Sequence, residues 1–369
     1  MPNNTIEMLT QELERGIGIP TDFYYQQDKY QSEIDNIWSK SWLFLCPIHK
    51  LKEIGDTVVG RAGNVPVVVV RGCDNKLRGF VNLCRHRGYP VASEDKRCNV
   101  LVCKYHAWAY NLDGTLRGAP SEKDEPDFDK GELSLLPVSV DTIGSLVFVN
   151  ANPNADSVAL THPKLEPYLQ SIGFPLNVDN TVAEYELVRE IPYEFHANWK
   201  LWYDNNTECY HCPTIHASSF SGLLDVNPEA FSYTEIDRFL AYSFDPSLQA
   251  KDETENEMQW QHSVQVFPGV GLTVQDDIML LYQAHPTFAE KTEKTLYCLI
   301  RKDADKDRAN DCLNVWLQTF AEDKEAIELQ QVGIRSGKLP RGRYMTCREP
   351  AAIFINKMIL AAVDVNQNR

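Results

Sequence analysis

Two short segments combine cysteine with histidine at a spacing suited to an iron–sulfur cluster. The first contains Cys84 and His86 and the second contains Cys103 and His106, with sixteen residues between His86 and Cys103. Two thiolates on one iron and two imidazoles on the other are the ligands of a mixed-ligand [2Fe–2S] cluster. Because imidazole is neutral, such a cluster has a reduction potential between roughly −150 and +300 mV. The four residues therefore predict a centre that stores single electrons.

A zinc site is the main alternative for these four residues. Zinc fingers pair like ligands, as C-x2–4-C and H-x3–5-H, whereas each segment here pairs a cysteine with a histidine. Cys98 lies five residues before Cys103, but position 106 is His, so the plant-type ferredoxin spacing fails. The pattern favours an iron–sulfur cluster, and Cys98 is interpreted as incidental.

A second group of possible metal ligands lies near residue 210. The segment ECYHCP, residues 208–213, contains Glu208 and His211, and His216 follows. Two histidines and one carboxylate can hold one face of Fe(II) and leave positions open for O₂ and substrate. Five positions separate the histidines, so a helix ending near Pro213 is expected to return His216 toward His211. The C-x2-C pair around His211 is interpreted as packing, because no βαβ pattern of a redox motif surrounds it.

The segments NLCRHRG and CKYHAWAYNLDGTLRGAP, residues 82–88 and 103–120, resemble the Rieske domain of ring-hydroxylating and related Rieske oxygenases. The resemblance implies that Cys84 and Cys103 bind one iron and that His86 and His106 bind the other. It covers residues from about 40 to 150. In the rest of the chain it is weaker and depends on residues 197–216, the strand FPGVGLTV and Asp323.

The same resemblance implies roles for three residues of the second group. Asp323 is expected to complete the mononuclear iron site with His211 and His216, with Glu322 as the runner-up. Glu208 is expected to bridge a cluster ligand of a neighbouring subunit to the iron site and so carry electrons. The ECYHC form resembles oxygenases that act on betaine, carnitine and similar quaternary amines.

Cofactors and partners follow from the resemblance. It implies a [2Fe–2S] cluster, a mononuclear Fe²⁺, O₂ as co-substrate and a head-to-tail homotrimer, which is a ring of heterologous interfaces. NAD(P)H is the expected electron donor, yet the GIG at residues 16–18 and the GVG at 269–271 lack the third glycine of G-x-G-x-x-G. A separate flavin and iron–sulfur reductase is therefore expected.

The predicted function is a terminal oxygenase that hydroxylates a small organic substrate, with a quaternary amine or betaine-type compound favoured. The alternatives are an aromatic ring-hydroxylating mono- or dioxygenase, which often has a small β subunit, and a Rieske electron carrier without catalysis. Aromatic side chains suit a cation or an aromatic ring. The candidate pocket residues are Trp202, Tyr203, Phe220, Phe267 and Tyr282.

Composition excludes several other classes of protein. The chain has 369 residues and a net charge of −16, which disfavours nucleic acid as a partner. No run of eighteen apolar residues predicts a membrane helix, and the polar N-terminus lacks the apolar core of a secretory signal. A cytoplasmic location is expected. The ten cysteines are too sparse for a disulfide scaffold.

The helices and strands that must position these residues are predicted to form an α+β fold. Residues 1–40 are expected to form an N-terminal helical arm (with a helix over 21–42), 41–152 an all-β Rieske domain and 153–369 the mononuclear non-haem iron catalytic domain. For the last, the resemblance implies a helix-grip (START-like) antiparallel sheet. Hydrophobic patterns predict helices at 165–172, 203–216 and 308–333, and strands at 239–244, 263–274, 278–285 and 295–301.

Overall fold

The computed structural model of the chain describes residues 3–219, 231–244, 261–275 and 277–364. It divides into two compact units: one contains residues 38–183, and the other contains residues 1–37 together with 184–369. The domain boundaries predicted at 40/41 and 152/153 differ from the bounds of these units. The division into domains therefore stays a prediction. Residues after 152 belong to the first unit because Val158 N donates to Asp141 Oδ2 at 2.9 Å and Trp42 Nε1 donates to Asp156 O at 3.0 Å.

The N-terminal segment contains α1 (Asn3–Glu14), β1 (Ile17–Pro20) and α2 (Gln27–Glu33). A 3₁₀ turn (Thr21–Tyr24) precedes α2, and a π-helical turn (Ile34–Trp38) follows it. The prediction of one continuous helix over 21–42 is therefore wrong. The chain leaves helical conformation at Tyr25, with φ −146°, and at Gln26, with ψ 134°.

The unit of residues 38–183 contains two antiparallel sheets. Its strands are β2 (Leu43–Pro47), β3 (Asp56–Ala62), β4 (Val65–Arg71), β5 (Leu77–Val81), β6 (Lys96–Arg97), β7 (Leu101–Val102), β8 (Ala109–Tyr110), β9 (Leu116–Gly118), β10 (Pro137–Ile143) and β11 (Leu146–Asn150). Seven strands pair in the order β2-β11-β10-β5-β4-β3-β6, and three in the order β7-β8-β9. Helices α3 (Val158–Thr161), α4 (Leu165–Ser171) and α5 (Val178–Glu184) follow. The helix predicted at 165–172 is confirmed.

The other unit is built on one seven-stranded antiparallel sheet with the order β12-β18-β17-β16-β15-β14-β13. The strands are β12 (Tyr185–Phe195), β13 (Phe231–Ile236), β14 (Phe239–Phe244), β15 (Gln261–Val266), β16 (Val270–Gln275), β17 (Ile278–Phe288) and β18 (Lys291–Arg301). The strands predicted at 239–244, 278–285 and 295–301 are confirmed. The strand predicted at 263–274 is two strands, because residues 267–269 form a turn with a cis Phe267–Pro268 bond. A short strand, β19 (Arg341–Arg343), pairs with β1.

Helices α6 (Trp199–Asn205), α8 (Lys306–Arg335) and α9 (Pro350–Asp364) contact this sheet, and the short helix α7 (Cys212–Ile215) contacts α8. The long helix α8 packs against β17 and β18, as a helix-grip fold requires. Leu313, Phe320, Ile327 and Ile334 recur at intervals of seven and form its buried stripe. Asp323 is buried on the same helix. The predicted α+β class is confirmed, and no helix in the described ranges is long and apolar enough to cross a bilayer.

Candidate metal centres

The loops that carry Cys84 and Cys103 have the same backbone hydrogen bonds. In each, the cysteine N–H donates to the carbonyl five residues later, and the N–H four residues later donates back to the cysteine carbonyl. The four bonds are Cys84 N to Tyr89 O (2.8 Å), Gly88 N to Cys84 O (2.9 Å), Cys103 N to Trp108 O (2.9 Å) and Ala107 N to Cys103 O (3.0 Å). The residue four positions after the cysteine has a positive φ in both loops, 72° at Gly88 and 56° at Ala107. Two similar loops therefore each present a cysteine and a histidine.

The sulfur atoms and the imidazoles of these loops lie in different environments. Cys84 and Cys103 are 3% and 2% exposed and belong to an apolar core cluster, whereas His86 and His106 are exposed. The two imidazole centroids are 4.7 Å apart. Burial raises the pKa of the Cys84 thiol, so a bound metal must displace its proton. Two buried sulfurs below two exposed imidazoles fit a cluster whose His-bound iron faces outward.

His211, His216 and Asp323 converge in the other unit. The two Nε2 atoms are 3.2 Å apart, and Asp323 Oδ1 lies 3.4 Å from His211 Nε2 and 3.1 Å from His216 Nε2. Asp323 Oδ1 is buried and accepts no hydrogen bond from the described residues. A buried carboxylate oxygen without a donor is costly unless something positive binds it. The three residues therefore fit a metal ion.

A carboxylate lies within hydrogen-bonding distance of Nδ1 of each imidazole, on the side of the ring away from the two Nε2 atoms. His211 Nδ1 lies 2.6 Å from Glu208 Oε1, and His216 Nδ1 lies 2.8 Å from Glu322 Oε2. If each Nδ1 carries its proton toward the carboxylate, each Nε2 is left with a lone pair for a metal. Glu322 was predicted only as the runner-up ligand, and it instead lies behind His216.

The adjacent residue, Asp323, is the feature of the sequence from which the position of Glu322 behind His216 could have been inferred. Successive residues on a helix point about 100° apart, so Glu322 and Asp323 cannot both face the same ion directly. Glu322 also accepts hydrogen bonds from Ser219 Oγ (2.6 Å), Ser218 Oγ (3.1 Å) and Gln318 Nε2 (3.0 Å). Its orientation is therefore fixed independently of His216.

The charges of the site suit a divalent cation. Burial alone would raise the pKa of Asp323, but the two imidazoles lower it to about 2. Burial opposes the charged form of His211, yet the carboxylates of Asp323 and Glu208 raise its pKa to about 10. A metal ion binding between the imidazoles would replace the proton that these carboxylates now favour.

A break between two helices brings the histidines together. Helix α6 ends at Asn205 and α7 begins at Cys212, so the helix predicted over 203–216 is wrong. Pro213 opens α7 rather than ending a helix, because the first turn of a helix needs no N–H from proline. His211 precedes α7 and His216 follows it, and this single turn returns the second imidazole to the first.

A cavity of about 70 Å³ adjoins these residues. It is lined by Asn205, Asn206, Thr207, Glu208, Cys209, His211, Cys212, His216, Tyr233, Tyr242, Gln261, Trp316, Thr319 and Asp323. Its aromatic residues are Tyr233, Tyr242 and Trp316. Sequence reasoning missed all three, because they are brought to the site by strands β13 and β14 and helix α8.

The predicted pocket residues Trp202, Tyr203, Phe267 and Tyr282 are not among the lining residues and need correction. Each is at most 2% exposed. The rings of Trp202 and Tyr282, with that of Phe320, surround the buried Lys294 amine at 3.8, 4.4 and 3.7 Å. Their faces are thus already covered within the core. The fifth, Phe220, lies outside the described residues.

Cys212 is an alternative to Asp323 as the third metal ligand. One ligand atom each from His211, Cys212 and His216 lies within 4.8 Å of the others. However, Cys212 Sγ is joined to Cys209 in a disulfide, and a disulfide sulfur carries no charge for a metal. Asp323, whose Oδ1 lies within 3.4 Å of both Nε2 atoms, therefore fits the third ligand position.

Two mixed Cys/His loops in one unit and a two-histidine, one-carboxylate site in the other are the ligand sets expected of an iron-dependent oxygenase with two centres. Residues 41–139 match the Rieske [2Fe-2S] domain, and residues 182–364 match the ring hydroxylating alpha subunit (catalytic domain). The carnitine monooxygenase oxygenase subunit of Escherichia coli (strain K12) is 31% identical over 335 residues, covering 89% of this chain and 87% of its own. The chain belongs to the Rieske oxygenase family, as an alpha-subunit-type oxygenase component.

Other relatives and solved structures agree with this assignment. The glycine betaine monooxygenase oxygenase subunit of Pseudomonas aeruginosa (strain UCBPP-PA14) is 34% identical over 60% of this chain and 49% of its own. The quaternary ammonium Rieske monooxygenase CntA in complex with L-carnitine aligns with a TM-score of 0.84 at 25% identity, covering 96% of this chain and 98% of that one. Naphthalene 1,2-dioxygenase from Rhodococcus sp., at 20% identity and a TM-score of 0.82, shares the fold and covers 99% and 100%.

Membership of the family settles several predictions. The chain is an enzyme that uses a [2Fe–2S] cluster, a mononuclear iron and O₂, with electrons from an NAD(P)H-linked reductase. Family members work as multimers. The catalytic-domain match excludes the electron carrier without catalysis.

Proposed function

We propose that this chain hydroxylates a small quaternary amine, such as a betaine-type compound, at a carbon next to nitrogen. The lining of the cavity carries the proposal: Tyr233, Tyr242 and Trp316 supply aromatic faces, and Glu208 and Asp323 supply carboxylates. An aromatic face attracts an ammonium group by about 0.5 to 2 kcal/mol. None of the lining residues in the described part of the chain is Lys or Arg, so the basic side chains among them are the two histidines assigned to the metal.

The named relatives support this substrate class. Carnitine and glycine betaine, which appear in the names of the relatives, both contain a quaternary nitrogen. Another relative, the 2-aminobenzenesulfonate 2,3-dioxygenase subunit alpha of Alcaligenes sp, is 26% identical and acts on an aromatic ring. Aromatic hydroxylation is therefore the outcome against which the proposal is tested.

The proposed reaction balances with the known cofactors. O₂, two electrons and two protons give one water and place one oxygen in the C–H bond next to nitrogen. The hydroxyl then loses its proton as the C–N bond breaks, so an aldehyde forms and the amine leaves with the electron pair. Bound iron would supply the site for O₂, while the cavity residues orient the cation so that this carbon is attacked.

We infer that His211, His216 and Asp323 hold the iron, and that Cys84, His86, Cys103 and His106 hold the cluster. The convergence of the two Nε2 atoms and Asp323 Oδ1 supports the first assignment. The duplicated loop geometry supports the second. Glu208 and Glu322 then act as positioning residues that orient the imidazoles through Nδ1.

The multimer is proposed to be a head-to-tail trimer in which Glu208 receives electrons from the cluster of a neighbouring subunit. Support comes from exposed groups at the cluster: His86 and His106 are accompanied by Tyr105, which is 52% exposed. Glu208 also lines a groove of about 920 Å³ on the surface of its own unit. A carboxylate there, bonded to His211, offers a short route to the iron.

Mixing two inactive variants tests the trimer and the electron route together. Cys84→Ser should lose the cluster but keep the mononuclear site, and Asp323→Ala should do the reverse. If electrons cross between subunits, co-assembled trimers should regain part of the wild-type O₂ uptake, whereas each variant alone stays inactive. No recovery in trimers shown by mass to contain both variants would contradict the proposal.

The substrate proposal is tested with the purified enzyme, a reductase, NADH and a panel of quaternary amines and aromatic acids. A quaternary amine should couple O₂ uptake to release of an aldehyde. Trp316→Leu should raise KM for the amine by about tenfold, since one cation–π contact is lost, while the matched Trp316→Phe keeps a ring and should change it little. Coupled turnover of aromatic acids alone would favour ring hydroxylation.

A further inference from the structure

Two cysteines flank His211 at the wall of the cavity. Cys209 and Cys212 are joined in a disulfide with their Cα atoms 4.9 Å apart. Both line the cavity that Glu208 and Asp323 also line. No βαβ redox fold surrounds this pair, so the sequence pattern alone indicates packing. Their position beside the proposed metal ligands is suited to a chemical role as well as to packing.

The sulfur of Cys212 lies close to the imidazoles. Cys212 Sγ is 4.0 Å from His211 Nε2, and the ligand atoms of His211, Cys212 and His216 are all within 4.8 Å of one another. In a tetrahedral zinc site, Zn–S of about 2.3 Å and Zn–N of about 2.0 Å place sulfur and nitrogen about 3.5 Å apart. A released Cys212 side chain therefore needs to move only about half an ångström to share a metal with His211.

The oxidation state of this sulfur changes the ligand set. In the disulfide, Cys212 offers no charge, and the site has two imidazoles and the Asp323 carboxylate, which suit Fe(II). In the reduced pair, a thiolate competes with Asp323 for the third position. Thiolate with imidazole favours Zn(II), as in the Cys/His zinc sites of proteins.

We propose that Cys209 and Cys212 form a redox-controlled ligand switch that sets the metal preference of the mononuclear site. The proposal rests on the assignment of His211, His216 and Asp323 as the iron ligands. With the disulfide formed, the site holds iron through nitrogen and oxygen; with the disulfide reduced, Cys212 becomes a ligand and the site favours zinc.

The switch needs an oxidant and a reductant of ordinary classes. Hydrogen peroxide, which forms when O₂ takes up two electrons and two protons without hydroxylating a substrate, oxidises two thiols to a disulfide and yields two waters. A dithiol returns the two electrons and two protons and becomes a disulfide itself. The oxidant would arise in the cavity that both cysteines line. Disulfides in reducing compartments are usually of this transient kind.

Single cysteine variants separate the two states without any redox reagent. Cys209→Ser prevents Cys212 from forming the disulfide, whereas Cys212→Ser removes the competing ligand and leaves the rest of the site intact. Both changes replace sulfur by oxygen, so each is the control for the other. The measurement is the Zn(II) dissociation constant of the cluster-containing enzyme, with and without a dithiol, by competition against a chromophoric chelator.

Opposite behaviour of the two variants is expected. Reduction should tighten Zn(II) binding of the wild type at least tenfold, Cys209→Ser should bind as tightly as the reduced wild type without a dithiol, and Cys212→Ser should show the same weaker affinity with and without a dithiol. Alkylation and mass spectrometry of the peptide that contains both cysteines reports the disulfide. Equal zinc binding by all forms overturns the switch but leaves the iron site standing. Absence of metal binding in any form overturns both.

Discussion

The two proposed metal centres of this chain present their histidines in opposite ways. At the cluster loops the imidazoles of His86 and His106 are exposed. At the mononuclear site the side chains of His211 and His216 are 18% and 2% exposed, and each Nδ1 faces a carboxylate. The first arrangement would place a histidine-bound iron near another protein surface, as the proposed electron transfer between subunits requires. The second fixes two nitrogens in a cavity where a substrate must be oriented.

The difference also lies in how each centre is built. The cluster loops are local structures, each closed by its own backbone hydrogen bonds within six residues. The mononuclear site joins the α6–α7 break to the buried stripe of α8 and depends on side chains more than 100 residues apart, as in the bond between His216 and Glu322. Changes at one centre should therefore leave the other intact.

The largest expected effect is loss of a mononuclear ligand. Asp323→Ala removes the carboxylate oxygen that lies 3.1 Å from His216 Nε2, so mononuclear iron and turnover should fall at least about 100-fold. The cluster spectrum should not change, because the loops of residues 82–90 and 103–108 are untouched. Full iron content and turnover in this variant would show that the ligand assignment is wrong.

Substitution of Glu322 or Glu208, the carboxylates that contact Nδ1 of the two histidines, is expected to give the next largest effect. Glu322→Gln keeps the size of the side chain but weakens its hold on His216, so Fe(II) affinity should fall about 10- to 100-fold. Glu208→Gln should lower Fe(II) affinity similarly and, in addition, slow reoxidation of the reduced cluster by O₂ in a single turnover. Rapid-mixing absorbance and metal titration measure the two effects. A slowed reoxidation in Glu322→Gln with full iron content would mean that both carboxylates lie on the electron route.

Support for the mononuclear site extends back along α6 to Asp204. It accepts hydrogen bonds from Tyr24 Oη (3.1 Å), Tyr344 Oη (2.9 Å) and Asn356 Nδ2 (2.7 Å), and burial raises its pKa to about 7. The folded state then binds a proton more tightly than the unfolded state, whose Asp pKa is about 3.9. This stabilisation is complete below about pH 4 and is lost as the pH rises toward 7.

The free energy of unfolding should therefore fall by about 2 kcal/mol between pH 5 and pH 7 through this group alone. Asp204→Asn cannot ionise and still offers an oxygen to the two tyrosines, so its unfolding free energy should lack that part of the slope. Urea unfolding at three pH values compares the two proteins. Identical slopes would show that Asp204 has an ordinary pKa.

The smallest expected effect comes from substitutions at the positive-φ residue of each cluster loop. Gly88→Ala places a Cβ at φ 72° where no atom lies within 4 Å, so only backbone strain of about 1 to 2 kcal/mol opposes it. Ala107→Gly relieves the same strain at φ 56° in the second loop. Heating should therefore release the cluster earlier in the first variant and no earlier in the second. Equal losses in both would contradict the similarity of the loops.

Sequence alone predicted what is local in this molecule. The spacing of Cys84, His86, Cys103 and His106 lies within short loops, so their grouping could be read directly. The long helix α8 and most strands of the catalytic sheet also followed from hydrophobic patterns. Asp323 was reached only through resemblance, because a lone carboxylate in a helix has no local signal for a metal.

What depended on tertiary packing was missed. The sequence could not tell which aromatic residues face the cavity, and it selected Trp202 and Tyr282, which pack around Lys294 instead. It placed Pro213 at the end of a helix, although proline fits equally well in the first turn of one. The role of Glu322 depends on which side of α8 faces His216, and only the fold decides that.

This polypeptide is expected to hold two separate iron centres, and metal analysis of matched proteins tests this most directly. The wild type should contain about three irons and two acid-labile sulfides per chain, and its reduced form should give a rhombic electron paramagnetic resonance signal. Asp323→Ala should keep the sulfide and the signal and lose about one iron. A purified protein without labile sulfide, or a variant that loses sulfide and iron together, would contradict it.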